Sequence, residues 1–379
     1  CSSDLLIRAL NRLGHGISYS KLEEMDTALC LQKLATEADM GVILPSSIQP
    51  CIPTTLAFDN IDQLEETLSG GGTSHRVNGI IVQLQVSTAP LQAATPNIQL
   101  HAKKHSITPM TADLPVYNAG QRVDPPVTKS VQLPYEAEVQ RARLKNLIWS
   151  LVRQTNSSQQ SISSWTGFNM LTRDNVTVTK DTVRYLPSIN APATQLSTVY
   201  EILNQVMKIK EALDLDEIVC VFDQALYAKA SEIVWKHQDL YRKVVLRMGV
   251  FHTICTVLAI IGKRFGSAGL RDISVESGII AEGSITSILD GRCYNRGVRL
   301  SKLVYEALLR LAWTGFYPWM EEHHPEDLPH LSKTTEAVKQ LHADVSSEAL
   351  NVTMHDPSCC RILDLFTKYL DDLHFNSGQ

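Results

Sequence analysis

The clearest apolar pattern in the chain lies at Glu217–Ile254, EIVCVFDQALYAKASEIVWKHQDLYRKVVLRMGVFHTI. Ile218–Phe222 is an unbroken apolar run of strand length, which predicts a strand buried on both faces, as in a parallel sheet covered by helices. Asp223 follows at once, then an amphipathic segment at Ala225–Lys236. A second β-branched run, Val244–Met248, leads through Gly249 into Phe251 and His252. Strand, helix and strand over about thirty residues have the length of a βαβ unit. A carboxylate just past the C-terminal end of such a strand stands where open α/β sheets place ligands. The same residue is also well placed to cap the following helix. Both roles suit Asp223.

Elsewhere the pattern alternates between helical and strand periods. Leu5, Leu6, Ala9, Leu10 and Leu13 recur at helical spacing before Gly14, and Ser20-x-x-Glu23 reads as a capping box opening a second helix. Residues 1–44 are therefore expected to form a helical N-terminal segment. Thr54–Phe58 is β-prone and predicts a strand ending at Asp59. Gln63–Leu68 and Val77–Gln85 predict further strands on either side of a glycine turn at Ser69–Thr73. Ser87–Pro134 is rich in Pro, Thr, Ala and Gln without a period, so an extended arm or surface insertion is expected. Tyr135–Arg153 and Thr198–Leu213 read as helices, with short strands at Thr177–Thr179 and Val183–Leu186 between them. The expected core is 45–265 with an insertion at about 87–197, followed by an all-helical C-terminal region at 266–379.

Composition narrows the function classes. The 379 residues are 44% hydrophobic and 20% charged, with a net charge of −5. That is an ordinary globular balance, and it excludes a wholly basic nucleic-acid binder while allowing a local basic patch. No apolar run reads as long enough to span a membrane, and no membrane partner is expected. The eight cysteines have no regular spacing and read as reduced thiols of an intracellular protein. The first residue is Cys1, as expected of a fragment or a trimmed chain.

Asp59 and Asp223 both end strand-like runs, and two such carboxylates can hold a hard divalent cation, Mg²⁺ or Mn²⁺, through oxygen ligands. A pair of such ions would activate a nucleophile and stabilise the leaving oxygen in phosphoryl transfer. Asp59-Asn60 is equally good turn chemistry. A third acidic ligand would come from Glu276 or Glu282, while Glu306 points away from its apolar helix face and reads as solvated. His252 and Cys255 share one side of a helical run, but no second pair at zinc spacing accompanies them. His252 is better read as a polar group at the mouth of the sheet. Arg292, Arg296, Arg299 and Lys302 would make one basic helix face able to follow a DNA phosphate backbone, or an ordinary solvated face. No G-x-S-x-G, H-E-x-x-H or dinucleotide fingerprint occurs.

Several blocks carry a resemblance: LNRLGHGISYS at Leu10–Ser20, FDNIDQLEETLSGGGTSHRVNGI at Phe58–Ile80, SWTGFN at Ser164–Asn169, VFDQALYAKA at Val221–Ala230 and MGVFHTI at Met248–Ile254. They resemble uncharacterised mobile-element-derived animal proteins and, more distantly, transposases with a ribonuclease-H-like core of the DDE type. The resemblance implies an α/β fold with a ribonuclease-H-like mixed sheet. It implies Asp59 as first carboxylate, Asp223 as second, and His252 in the segment after the next strand. The third carboxylate has no clear match, and Glu282 stands in for it. The function expected is a metal-dependent polynucleotidyl transferase or nuclease core, working in the nucleus. The alternative is a catalytically silent, transposon-derived binding or scaffold protein.

Overall fold

The computed structural model describes residues 3–37, 42–67, 70–84, 114–121, 124–125, 135–155, 163–174 and 180–376. In chain order the elements begin with α1 (Ser3–Arg12), α2 (Tyr19–Glu37), β1 (Thr54–Thr67), β2 (Gly70–Leu84), α3 (Glu136–Thr155), α4 (Trp165–Leu171) and β3 (Asp181–Tyr185). They continue with α5 (Leu196–Ala212), β4 (Ile218–Phe222), α6 (Gln224–Lys236), α7 (Gln238–Tyr241), β5 (Val244–Met248) and α8 (Val250–Phe265). A π-helical segment, Gly266–Leu270, leads into α9 (Arg271–Glu276), α10 (Glu282–Leu289) and α11 (Tyr294–His323). The chain closes with α12 (Leu328–Ala343), α13 (Ser347–His355) and α14 (Pro357–Asn376).

The chain divides into two compact units, one of residues 1–127 and 178–253, the other of 128–177 and 254–379. The expected insertion is thus split: α3 and α4 belong with the C-terminal helices, while β3 joins the sheet. The cause is visible in α3, whose consecutive buried residues Leu147–Val152 need apolar partners on more than one side.

The first unit is built on a five-stranded mixed sheet of order β3-β2-β1-β4-β5. β1, β2 and β3 are antiparallel neighbours, whereas β1, β4 and β5 run parallel. The βαβ unit anticipated at Glu217–Ile254 is present as β4, α6 and β5. Its strand is not buried evenly, however. Ile218, Cys220 and Phe222 are fully buried while Val219 and Val221 are half-buried. The inner face packs under α5, through Ile202, Leu203 and Val206, and under α6, through Leu226, Ala230 and Ile233. The Asp59 strand also differs from expectation. β1 does not stop at Asp59 but runs on to Thr67, paired throughout with β2 in one long hairpin. Alternation carries it, because Leu56 and Phe58 point inward and Asp59 and Asn60 lie at exposed positions.

Two local signals resolve differently in detail. Ser18, not Ser20, caps α2, with its Oγ accepting from Lys21 N at 3.2 Å. The helix expected to open at Thr198 begins earlier, at Leu196, and Thr198 lies buried inside it. Most of the irregular stretch Ser87–Pro134 lies outside the described residues. Of its described residues, 114–121 are tied down: Tyr117 N donates to Ser197 Oγ at 3.0 Å, the Tyr117 ring lies tilted against Tyr200 with centroids 5.0 Å apart, and Lys236 Nζ donates to Ala119 O.

The second unit is helical. Trp313 stacks on Phe366 with ring centroids 3.6 Å apart, and its indole donates to Ser150 Oγ at 2.8 Å. Phe316 and Tyr369 extend this aromatic cluster. A separate, small apolar cluster joins Ile285, Ile288 and Leu300. The continuous run Val250–Glu276 corrects one sequence expectation, because by length and composition it is apolar enough to cross a membrane. Lys263 and Arg264 split the run in the sequence and hide that average. Only 11% of its apolar window is buried.

Candidate functional site at the parallel edge of the sheet

The site begins with the register of two strands. β1 and β4 are parallel, with Thr55 opposite Val219 and Phe58 opposite Phe222. Residues opposite one another in such a ladder are roughly 4.8 Å apart and point to the same face. Asp59 and Asp223 each follow the last matched pair, so the two carboxylates leave neighbouring strands at the same level. The two strands are therefore adjacent and parallel, although Asp59 stands within its strand and does not end it.

Each carboxylate is partly engaged. Asp223 is the N-cap of α6, its Oδ1 accepting from Leu226 N at 2.7 Å. Asp59 Oδ1 accepts from Asn60 N at 2.8 Å and the residue is exposed. In each, one oxygen takes no hydrogen bond from the described residues. Two hard oxygen donors on adjacent strands fit a divalent cation of the Mg²⁺ class, with water completing the shell.

The same edge receives the start of α8. Gly249 N donates to Phe222 O at 2.8 Å, which fastens the turn after β5 to the end of β4. A Cβ added at Gly249 would lie 3.4 Å from that carbonyl oxygen and 3.9 Å from His252 Cδ2. The backbone thus approaches β4 closely, and the half-buried His252 ring lies over the turn. Two helices, α6 and α8, present their N-termini at the C-terminal ends of β4 and β5. Such termini carry partial positive charge and unpaired N–H groups.

The remaining expected ligands resolve otherwise. Glu282 is exposed in the first turn of α10 and belongs to the helical unit, not to the sheet unit of Asp59, Asp223 and most of the edge. There it complements the helix dipole. Glu276, at the end of α9, is exposed in that same unit. α8, which leaves β5, has the sequence VFHTICTVLAIIGKRF and contains no carboxylate. Glu306 is not solvated: it pairs with Arg153 at 2.6 Å and its side chain is 13% exposed. The basic face is reduced as well. Arg292 precedes α11 and pairs with Asp290 at 3.7 Å. Lys302 lies over the Trp165 ring at 4.8 Å and donates to Thr166 Oγ1 at 3.0 Å. Arg296 and Arg299 stay exposed on α11.

Among the described residues, one group of three side chains could converge on a metal, His324, Glu326 and Asp327, with ligand atoms within 4.8 Å. The sequence HHPED shows it as adjacent donors. One of its two carboxylates is already committed, because Asp327 accepts two hydrogen bonds from Arg361, at 3.0 and 2.7 Å. That ion pair supplies the charge balance a cation would bring.

Residues 164–378 match the family model of a domain of unknown function, DUF8702, and the chain belongs to that family. The matched span includes Asp223 and His252 and leaves β1, with Asp59, outside it. No curated protein and no solved structure matches the chain significantly.

Proposed function

We propose that the sheet unit is a ribonuclease-H-like core of polynucleotidyl-transferase type, with Asp59 and Asp223 holding a divalent cation, Mg²⁺ or Mn²⁺. The observation that carries this reading is the parallel pairing of β1 with β4 up to Phe58 and Phe222. Sheet order supports it too: three antiparallel strands on one side and two parallel strands on the other place both aspartates centrally. The cation would supply Lewis acidity toward a phosphate oxygen. The chain's own contribution is to hold two carboxylates at one level and to aim the N–H groups opening α6 and α8 toward bound anionic oxygen. Arg296 and Arg299 would add electrostatic attraction for DNA, and a nuclear location follows from such a substrate.

A second reading has its own observation. α8 carries no acidic residue, and the resemblance asks for one on a later helix. A silent descendant that keeps the fold as a binding module accounts for that loss. Calorimetric titration with MnCl₂, beside cleavage of a labelled DNA duplex in Mn²⁺, separates the two. Saturable heat that disappears in the Asp59→Asn, Asp223→Asn double variant supports the cation site, and cleavage lost in the same variant supports the enzyme. Saturable heat without cleavage selects the silent descendant. Heat that survives in the double variant removes the two-carboxylate site.

A further inference from the structure

The helical unit holds a charged cleft of about 640 Å³ beside the crossing of α8 and α10. The crossing is close because glycines make it. At Gly262 an added Cβ would lie 2.1 Å from Leu289 O, and at Gly291, where φ is +74, it would lie 2.3 Å from Cys255 O. Just beyond, α8 gives way to the π-helical segment, where Gly266-Ser267-Ala268-Gly269 puts small residues in succession. Short side chains there leave room between α8, the start of α9 and the end of α10. The volume falls within the roughly 300–1,000 Å³ of small-molecule pockets, so more than a bare ion fits.

The polar lining is almost all donor. Lys263 in the last turn of α8, Arg271 at the start of α9 and Arg292 just after α10 all line the cleft, against a single lining carboxylate, Asp290. Neither Lys263 nor Arg271 has an ion-pair partner among the described residues. Arg292 meets Asp290 at 3.7 Å, with the two side chains 77% and 49% exposed. A pair so long and so wet contributes little and leaves the guanidinium available. Two hydroxyls add to the donors. Thr286 Oγ1 accepts from Arg271 Nη1 at 3.3 Å, which leaves its own proton to give, and Ser267 Oγ has no hydrogen bond among the described residues.

This donor set selects the ligand. A carboxylate offers two oxygens and one charge, whereas a phosphate monoester offers three oxygens and a charge of about −1.5 to −2 at neutral pH. Guanidinium forks match phosphate oxygens in pairs. None of the described residues lining the cleft is aromatic, so it offers no platform on which a nucleobase would stack.

We propose that this cleft binds the phosphate group of a phosphomonoester, held by Lys263, Arg271 and Arg292, with Ser267 and Thr286 donating to its remaining oxygens. Soluble phosphomonoesters and the headgroup of phosphatidic acid present that same group. The inference is independent of the nucleic-acid reading, because the lining residues all belong to the helical unit and Arg296 and Arg299 are not among them.

Calorimetric titration of the full chain with glycerol 3-phosphate, at constant ionic strength, tests the soluble source. Co-sedimentation with phosphatidylcholine vesicles, with and without phosphatidic acid, tests the lipid source. The expected result is saturable binding in at least one arm, with glycerol and pure phosphatidylcholine inert. Binding of glycerol 3-phosphate identifies a soluble ligand, and binding of phosphatidic acid vesicles alone identifies a lipid headgroup. Lys263→Gln and Arg271→Gln should each weaken the bound probe by about tenfold or more, and together they should abolish binding. Lys263→Arg should retain it. Lys263 is exposed and has no side-chain partner among the described residues, so its variants stay informative if Arg271→Gln does not fold. No saturable binding of either probe overturns the proposal, and so does undiminished binding by folded Lys263→Gln. A short DNA duplex that binds the wild type but not the double variant, while neither probe binds, assigns these cations to a polynucleotide backbone and overturns it as well.

Discussion

Phe58 and Phe222 stand opposite one another on parallel strands, with ring centroids 6.0 Å apart and planes inclined by 25°. This contact fixes the register that places Asp59 and Asp223 at one level. It depends on a third residue, since Gly79 lies opposite Phe58 on β2 and an added Cβ there would sit 2.6 Å from the ring. Gly79→Val should displace the Phe58 ring and destabilise the sheet unit by about 1–3 kcal/mol, as overpacking does. A urea melt of the variant checks this. An unchanged midpoint would mean that the aromatic pair does not set the register.

Asp223 gives a prediction that separates its two roles. As the α6 cap it should lose about 1 kcal/mol on Asp223→Ala and only a few tenths on Asp223→Asn, because Asn accepts the Leu226 N–H equally well. Thermal melts without metal should show that order. Mn²⁺ should then stabilise the wild type and neither variant.

Much of this edge was legible in the sequence. The run Ile218–Phe222, the helix after Asp223 and the second strand at Val244–Met248 are all where the apolar pattern placed them. β3 and α5 also fall on the segments expected. The pattern failed where long-range partners decide. Thr54–Phe58 and Gln63–Leu68 read as two separate strands, but pairing with β2 keeps Thr54–Thr67 extended through Asp59-Asn60, whose local turn chemistry loses to the ladder. The membership of α3 in the helical unit depends on partners distant in sequence, such as Trp313, and no local period reveals that. The basic face at Arg292–Lys302 assumed one helix, and the break before Tyr294 removes Arg292 from it.

The α8–α10 junction should be intolerant of change. Gly291 has φ +74 and a Cβ there would lie 2.3 Å from Cys255 O, a backbone atom that cannot swing away. Gly291→Ala combines left-handed strain with a steric clash and should cost roughly 2–4 kcal/mol. Differential scanning calorimetry should show the loss.

In the aromatic core, Trp313→Phe keeps most of the ring stacking on Phe366 but leaves Ser150 Oγ without its indole donor. The cost should be about 1 kcal/mol. Trp313→Ala, which empties a fully buried site, should cost about 3–5 kcal/mol. Comparable losses in the two variants would show that the hydrogen bond, and not the packing, dominates.

Asp327 predicts an acid limb. Hydrogen bonds from Arg361 hold its carboxyl below the usual value of 3.8, against the opposing effect of burial. Because the folded value is the lower one, the stabilisation is fully present above the unfolded value. It is lost as pH falls through the folded value. Arg361→Gln should therefore destabilise at pH 7 and narrow the gap to wild type as the pH drops below about 4. Urea titrations at pH 7 and pH 3 measure that gap, and a constant difference would exclude linkage through this pair.

The split of the helical unit has a consequence for synthesis. The Ser150 hydroxyl waits for the Trp313 indole across 163 residues of chain. At translation rates of about 5–20 residues per second, α3 spends roughly 10–30 s on the ribosome before its partner exists. During that interval Leu147, Ile148, Leu151 and Val152 form an uncovered apolar ridge. The sheet strands are complete earlier, so the nascent chain passes through a state with one half closed and α3 still unclaimed. Such a state invites chaperone capture or aggregation, and truncation anywhere between β5 and α11 would make it permanent.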